Sequence, residues 1–198
     1  ENNFKLVMIR PNYIQMARQM ITSSKSNVLV GTVIDFPFGH SPTSEKIKEA
    51  EDAIQLGVDE LDYVADYNLF KQKRFDKFDM DIKECTRLGL ESSKTVKWII
   101  ETGALSKKEI REVTKRITKI VSSDFPNYSR NVFIKTSTGF YGGFGANVKD
   151  VKMMKSLSGS LPIKASGGIS NFSEFQQMVE AGATRIGTSK ALKIFNQQ

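Results

Sequence analysis

Short apolar runs alternate with longer amphipathic segments along the whole chain. The runs fall at 4–10 (FKLVMIR), 27–34 (NVLVGTVI), 60–66 (ELDYVAD), 95–102 (TVKWIIET), 132–138 (VFIKTST), 161–166 (LPIKAS) and 184–189 (TRIGTS). They are rich in Val, Ile, Leu and Phe and are bounded by polar or glycine-containing stretches, the pattern of strands buried on both faces. Between them, apolar positions recur at helical spacing near 11–24, 43–56, 71–90, 106–122, 147–157, 171–181 and 188–196. Ser106 with Glu109 fits a capping box that opens one of these helices, and Asn171 with Glu174 offers a similar start to another.

Strands that alternate with helices imply a parallel sheet, either doubly wound or closed into a barrel. Two features favour the barrel. Polar residues recur at the C-terminal ends of the strands (Asp62 and Asp66, Glu101 and Thr102, Ser137 and Thr138, Ser166, Thr188), where barrel enzymes carry their chemistry. In addition, no GxGxxG fingerprint follows any strand. The expected fold is therefore a TIM (β/α)8 barrel. Seven strands are readable, and a closed barrel of this kind has eight.

Two of the strands carry a lysine where an apolar residue is expected. Lys135 sits inside NVFIKTSTGF and Lys164 inside LPIKASGGI. Alternation along a strand puts Phe133, Lys135 and Ser137 on one face, and Pro162, Lys164 and Ser166 on one face of the next strand. Two ammonium groups that meet inside a barrel lower one another's basicity, and desolvation acts in the same direction. A neutral amine is a nucleophile toward carbonyls, so the pair meets the requirement for a Schiff-base lysine beside a charged neighbour. Asp62, amid Leu61, Tyr63 and Val64, is a carboxylate that can keep one amine protonated and relay protons.

Glycines follow the last strands. ASGGIS places Gly167 and Gly168, and GTSKAL places Gly187, Thr188 and Ser189, at strand–helix junctions whose N–H groups suit an anion. STGFYGGFGAN adds Gly139, Gly142, Gly143 and Gly145, expected as a mobile loop over the site. A phosphorylated substrate follows from these loops. Other conspicuous residues read as structure. His40 is assigned to a loop, Cys85 and the Met153–Met154 pair to helix packing, and Trp98 to the core, while Lys97 is a candidate for the barrel interior beside Asp62.

The 198 residues suit one domain, with 39% hydrophobic and 26% charged residues. The net charge of +7 brings nucleic acid into consideration, but the lysines are scattered among acidic residues, as in SEKIKEAE and SKKEIREVTKR. They read as a solvated surface. The single cysteine excludes an internal disulfide and a cysteine zinc site. With no secretory signal at the start and no membrane-spanning run, a cytoplasmic location is expected, without membrane or nucleic-acid partners.

The segments VGTVIDFPFGH, GVDELDYV, VKWIIETGALS, VFIKTSTGF, IKASGGI and EAGATRIGTS together resemble the deoxyribose-phosphate aldolases, class I aldolases on a TIM barrel. The resemblance runs over nearly the whole chain in family order. It implies reversible cleavage of 2-deoxy-D-ribose 5-phosphate to glyceraldehyde 3-phosphate and acetaldehyde, in deoxyribonucleotide catabolism, with no metal and no organic cofactor. It also implies Lys135 as the Schiff-base lysine, Lys164 as its charged neighbour and Asp62 as a partner in proton transfer. Gly139, Gly167, Gly168, Gly187, Thr188 and Ser189 would surround the phosphate. A homodimer or homotetramer is the expected assembly.

Departures from the family are Asp66 where many members have Asn, Ser170 where many have Arg, and a tail without a terminal Tyr. FKLVMIR matches the family's second strand, so the expectation is one barrel domain over 1–198 that is N-terminally incomplete, with its gap between FKLVMIR and TRIGTS. Two other readings stay open: another Schiff-base phosphosugar aldolase, and a non-catalytic scaffold that retains the fold.

Overall fold

The computed structural model describes residues 4–143 and 145–197. Seven strands lie in one parallel sheet in chain order: β1 (Leu6–Ile9), β2 (Leu29–Ile34), β3 (Glu60–Val64), β4 (Thr95–Ile99), β5 (Val132–Lys135), β6 (Ile163–Ser166) and β7 (Ala183–Gly187). All seven runs read from the sequence form strands, each shorter than its apolar run. Among the described residues, eight α-helices accompany the sheet: α1 (Ile14–Ser23), α2 (Thr43–Gln55), α3 (Tyr67–Lys71), α4 (Phe75–Glu91), α5 (Lys107–Asp124), α6 (Val148–Leu157), α7 (Phe172–Glu180) and α8 (Ala191–Phe195). The sheet is that of a TIM-barrel-like fold with one strand fewer than eight. Its end strands β1 and β7 border a cavity of about 420 Å³, lined also by Lys97, Lys164 and Arg185. No helix among the described residues is long and apolar enough to cross a membrane.

Helix α3 is not visible as a separate periodicity because it is only five residues long. Its start is set by Asp66, whose Oδ1 accepts the N–H groups of Asn68 and Leu69 at 2.9 and 3.0 Å. Asp66 is thus an N-cap, and His40 adds a contact to it at 3.3 Å. The capping box of α5 is complete, with Ser106 and Glu109 each accepting the other's backbone N–H.

The core between sheet and helices is built on large side chains that point away from the barrel axis. Tyr63 and Trp98, neighbours on β3 and β4, stack with ring centroids 5.1 Å apart, and Trp98 Nε1 donates to Thr86 of α4 at 2.9 Å. Cys85 is buried on the same helix and Met154 is buried on α6, both as packing residues. Lys46 departs from the sequence reading, which placed it on a solvated face. Its side chain is fully buried, and its ammonium donates to Asp81 of α4 at 2.6 Å and to the Val64 carbonyl at 3.1 Å. A buried cation is retained only with such partners, and this one ties α2 and α4 to the end of β3.

Candidate active site

Alternation along β3 turns Leu61 and Tyr63 toward the helices and Glu60 and Asp62 toward the barrel interior. Lys97 on β4 is level with Asp62, and Lys135 on β5 is level with Lys164 on β6. All three lysines converge on one carboxylate. Lys135 Nζ and Lys164 Nζ both donate to Asp62 Oδ2, at 2.8 and 2.7 Å, and Lys97 Nζ donates to Oδ1 at 2.6 Å. Asp62 and Lys97 are completely buried, and Lys135 and Lys164 are 4% and 5% exposed. Sequence reasoning placed Lys135, Lys164 and Asp62 together, and the structure brings them into direct contact.

A second set of charges continues the cluster. Lys97 also meets Glu60 at 2.6 Å, and Glu60 meets Arg185 of β7 at 3.1 Å. The Arg185 guanidinium lies over the Phe133 ring, 5.6 Å from its centroid. Sequence reasoning did not single out Glu60 or Arg185. The available signal for Glu60 was its spacing of two from Asp62, which puts both carboxylates on one strand face.

The interior therefore holds four cationic side chains against two carboxylates. Burial acts to raise the Asp62 carboxyl, but the ammonium groups of Lys135, Lys164 and Lys97 overcome it and hold the group well below the usual carboxylate range. The excess positive charge finds its outlet at Lys164. Burial pushes this amine down, Asp62 opposes, Lys135 and Lys97 add to the lowering, and the result is about 7. The sequence reading assigned the weakened amine to Lys135 and the retained charge to Lys164. In the structure Lys164 is an amine pushed down, first by its burial and then by the neighbouring Lys135 and Lys97 ammonium groups, with Asp62 opposing. The shared oxygen links the two amines, so the proton that leaves belongs to the pair.

Above this cluster, hydroxyls and glycines knit the strand ends. Ser137 Oγ donates to the Ser166 carbonyl at 2.8 Å and Ser166 Oγ to the Ser137 carbonyl at 2.7 Å. The Gly139 loop folds back onto the end of β6. A Cβ at Gly145 would stand 2.3 Å from the Gly167 carbonyl oxygen, so only glycine fits there, and Gly139 and Gly167 lie against one another. Gly139, Gly167 and Gly168 all have positive φ. Among the described residues, neither Gly168 nor Ser189 gives its N–H to a protein acceptor. Thr188 is different: its hydroxyl donates to the Ile169 carbonyl at 2.6 Å and is occupied within the fold. Ser170 is likewise engaged, with its N–H and hydroxyl both on Glu174, at 2.7 and 3.1 Å.

No protein-family model matches the chain. Deoxyribose-phosphate aldolase 1 of Staphylococcus aureus (strain MRSA252) is 44% identical over 193 residues, covering 97% of this chain and 81% of the relative. Among solved structures, one described as "QR15, an Aldolase" superposes with a TM-score of 0.84 at 34% identity, over 98% of this chain and 80% of the other. The deoxyribose phosphate aldolase of Aeropyrum pernix, described as having a unique tetrameric structure, superposes with a TM-score of 0.82 at 26% identity, over 98% of this chain and 76% of that one. With a buried lysine pair on a shared aspartate, a parallel barrel sheet and this degree of likeness along its length, the chain belongs to the deoxyribose-phosphate aldolase family.

Proposed function

We propose that this chain is a class I aldolase that reversibly cleaves 2-deoxy-D-ribose 5-phosphate to D-glyceraldehyde 3-phosphate and acetaldehyde, with Lys135 as the nucleophile. The observation that carries the reading is the sharing of Asp62 Oδ2 by Lys135 and Lys164. One proton passes from Lys135 to the weakened Lys164 amine across that oxygen. Lys135 is left neutral and Lys164 charged, the state in which an amine adds to a carbonyl.

Lys135 Nζ then bonds to C1 of the open-chain aldehyde, and loss of water gives the iminium. The C2–C3 bond breaks with its electron pair drawn toward the iminium, while the C3 hydroxyl gives up its proton and becomes the aldehyde of glyceraldehyde 3-phosphate. The remaining enamine takes a proton at C2, and water releases acetaldehyde and restores Lys135. Asp62, held strongly ionised, acts as the bridge along which these protons move, and Lys164 is the site that holds one between steps.

The glycine loops at the mouth are suited to the 5-phosphate. The N–H groups of Gly168 and Ser189 support this part of the reading, whereas Thr188 contributes through backbone rather than hydroxyl. A homodimer or homotetramer is the proposed assembly, with the Aeropyrum pernix tetramer in support.

The direct test is borohydride reduction in the presence of deoxyribose 5-phosphate, followed by peptide mapping. The adduct is expected on Lys135 and absent from Lys135→Ala; an adduct on a different lysine overturns the assignment. The rate of imine formation is expected to rise with pH through a midpoint near 7, because the active form is the one that has lost a proton from the lysine pair. Lys164→Met removes the acceptor for that proton and leaves Lys135 with Asp62 as its partner. The midpoint should then move at least one unit upward, toward the usual lysine range, and an unmoved midpoint in stopped-flow trapping would contradict the scheme. Gly145→Ala forces the two glycine loops apart. It is expected to lower kcat/KM for deoxyribose 5-phosphate by about tenfold or more, since small misplacements cost that much, while turnover of unphosphorylated deoxyribose changes far less; equal losses would exclude the phosphate role.

A further inference from the structure

Glu60 is a buried carboxyl to which the scheme above gives no task. It is 1% exposed and shares a face of β3 with Asp62. Its Oε1 accepts from Arg185 Nη2 at 3.1 Å, and its Oε2 lies 2.6 Å from Lys97 Nζ. The second contact lacks hydrogen-bond direction, so charge alone carries it.

The three lysines on Asp62 are therefore not equivalent. Lys135 and Lys164 share Oδ2 and form no ion pair with any other carboxylate among the described residues. Lys97 has Oδ1 to itself and alone touches a second carboxylate. The strands around it add no further acid. Gly31 and Val33 of β2 stand level with Glu60 and Asp62. Lys135, Lys164 and Arg185 face the cluster from β5, β6 and β7, and Lys5, just before β1, lines the same cavity as Lys97.

A buried ammonium keeps its proton only while carboxylates offset its desolvation. The scheme needs one proton missing from the interior, and needs it missing from the pair that works on the substrate. A second loss, from Lys97, would leave Asp62 Oδ1 without a charged donor. It would also set a neutral amine beside the carboxylate along which protons move, where it competes for the proton held on Lys164. We infer that Glu60 is a positioning residue that acts through Lys97, keeping the proton there and confining proton loss to the Lys135–Lys164 pair, a role that rests on the aldolase reading above. Arg185 supports Glu60 from its other oxygen.

The test counts protons in the substrate-free chain. Lysine labelled with ¹³C at the ε-carbon is titrated in the unmodified protein, in Glu60→Gln and in Glu60→Gln/Lys97→Met. The unmodified protein is expected to show one lysine that titrates near 7. Glu60→Gln removes the charge and keeps the shape. By Coulomb's law, a negative charge removed from about 3 Å away, at an effective dielectric near 20, moves an amine down by roughly four units. Two lysines should then titrate below about pH 8, well under the usual range of about 10.4. The double variant removes both partners and should return to one. A single neutral-range lysine in Glu60→Gln overturns the role. So do two in the double variant, because the second is then not Lys97.

Glu60→Gln leaves a buried ammonium with one carboxylate fewer and is expected to be the least stable of the three. Where it melts too low for spectroscopy, its stability against pH counts the same protons. A lysine whose folded-state pKa is depressed makes stability rise with pH between its folded and unfolded values. From pH 7 to 10 the rise should be about twice as steep in Glu60→Gln as in the unmodified protein or the double variant, and equal slopes overturn the role. Borohydride trapping of acetaldehyde on Lys135 in the unmodified protein reports separately on the aldolase reading. Its failure leaves the lysine count intact, and a wrong count leaves the trapping intact.

Discussion

Asp62 is a single carboxylate, fully buried, with three ammonium groups on its two oxygens. Removing any of these charges from water is costly, and the cost is tolerated only because each has a partner at hydrogen-bond distance. The arrangement demands a strand on each side at fixed register, since Lys97 must stand level with Asp62 and Lys164 level with Lys135. A slip of one residue in any of these strands would turn its charged side chain into the helix layer. The outward residues, led by the Tyr63–Trp98 stack, hold that register from the other side of the sheet.

The same charges that constrain the fold supply the reactivity. Two carboxylates face four cations in the interior, and the imbalance is relieved most readily by loss of a proton from Lys164. Lys97 and Arg185 line the cavity between β1 and β7 together with Gly187 and Thr188. Their effect is exerted through Asp62 and Glu60, whose charges they hold in place. The mouth above is governed by close backbone approach rather than by charge: Gly145 and Gly167 touch, Ser137 and Ser166 exchange hydrogen bonds, and Glu101 clamps Thr138.

Much of this was legible in the sequence because burial on both faces leaves a plain signature. Every strand was visible as an apolar run, and Lys135 and Lys164 stood out because a buried ammonium inside such a run needs a partner or must lose its proton, and because two such lysines and Asp62 fell on separate strands. Asp62 was found for the same reason. What escaped notice depends on distance in sequence rather than on pattern. Lys46 sits in a helix whose spacing makes it look solvated, and only the packing of α4 supplies Asp81 as its partner. Glu60 and Arg185 lie 125 residues apart, and nothing local announces their contact. Helix α3 was hidden by its length, and Glu101 read as a polar strand end because neither a left-handed φ nor an unpartnered oxygen is written in residue type.

The central claim is that the interior cluster holds one proton fewer than its lysines could carry. Lysine labelled with ¹³C at the ε-carbon reports the charge of each amine through its chemical shift, and a pH titration of the substrate-free chain reads it directly. The account predicts one lysine resonance with a midpoint near 7, absent from the Lys164→Met protein, while the solvent-exposed lysines titrate at about 10.4. A titration in which every lysine stays charged until about pH 10 would contradict it.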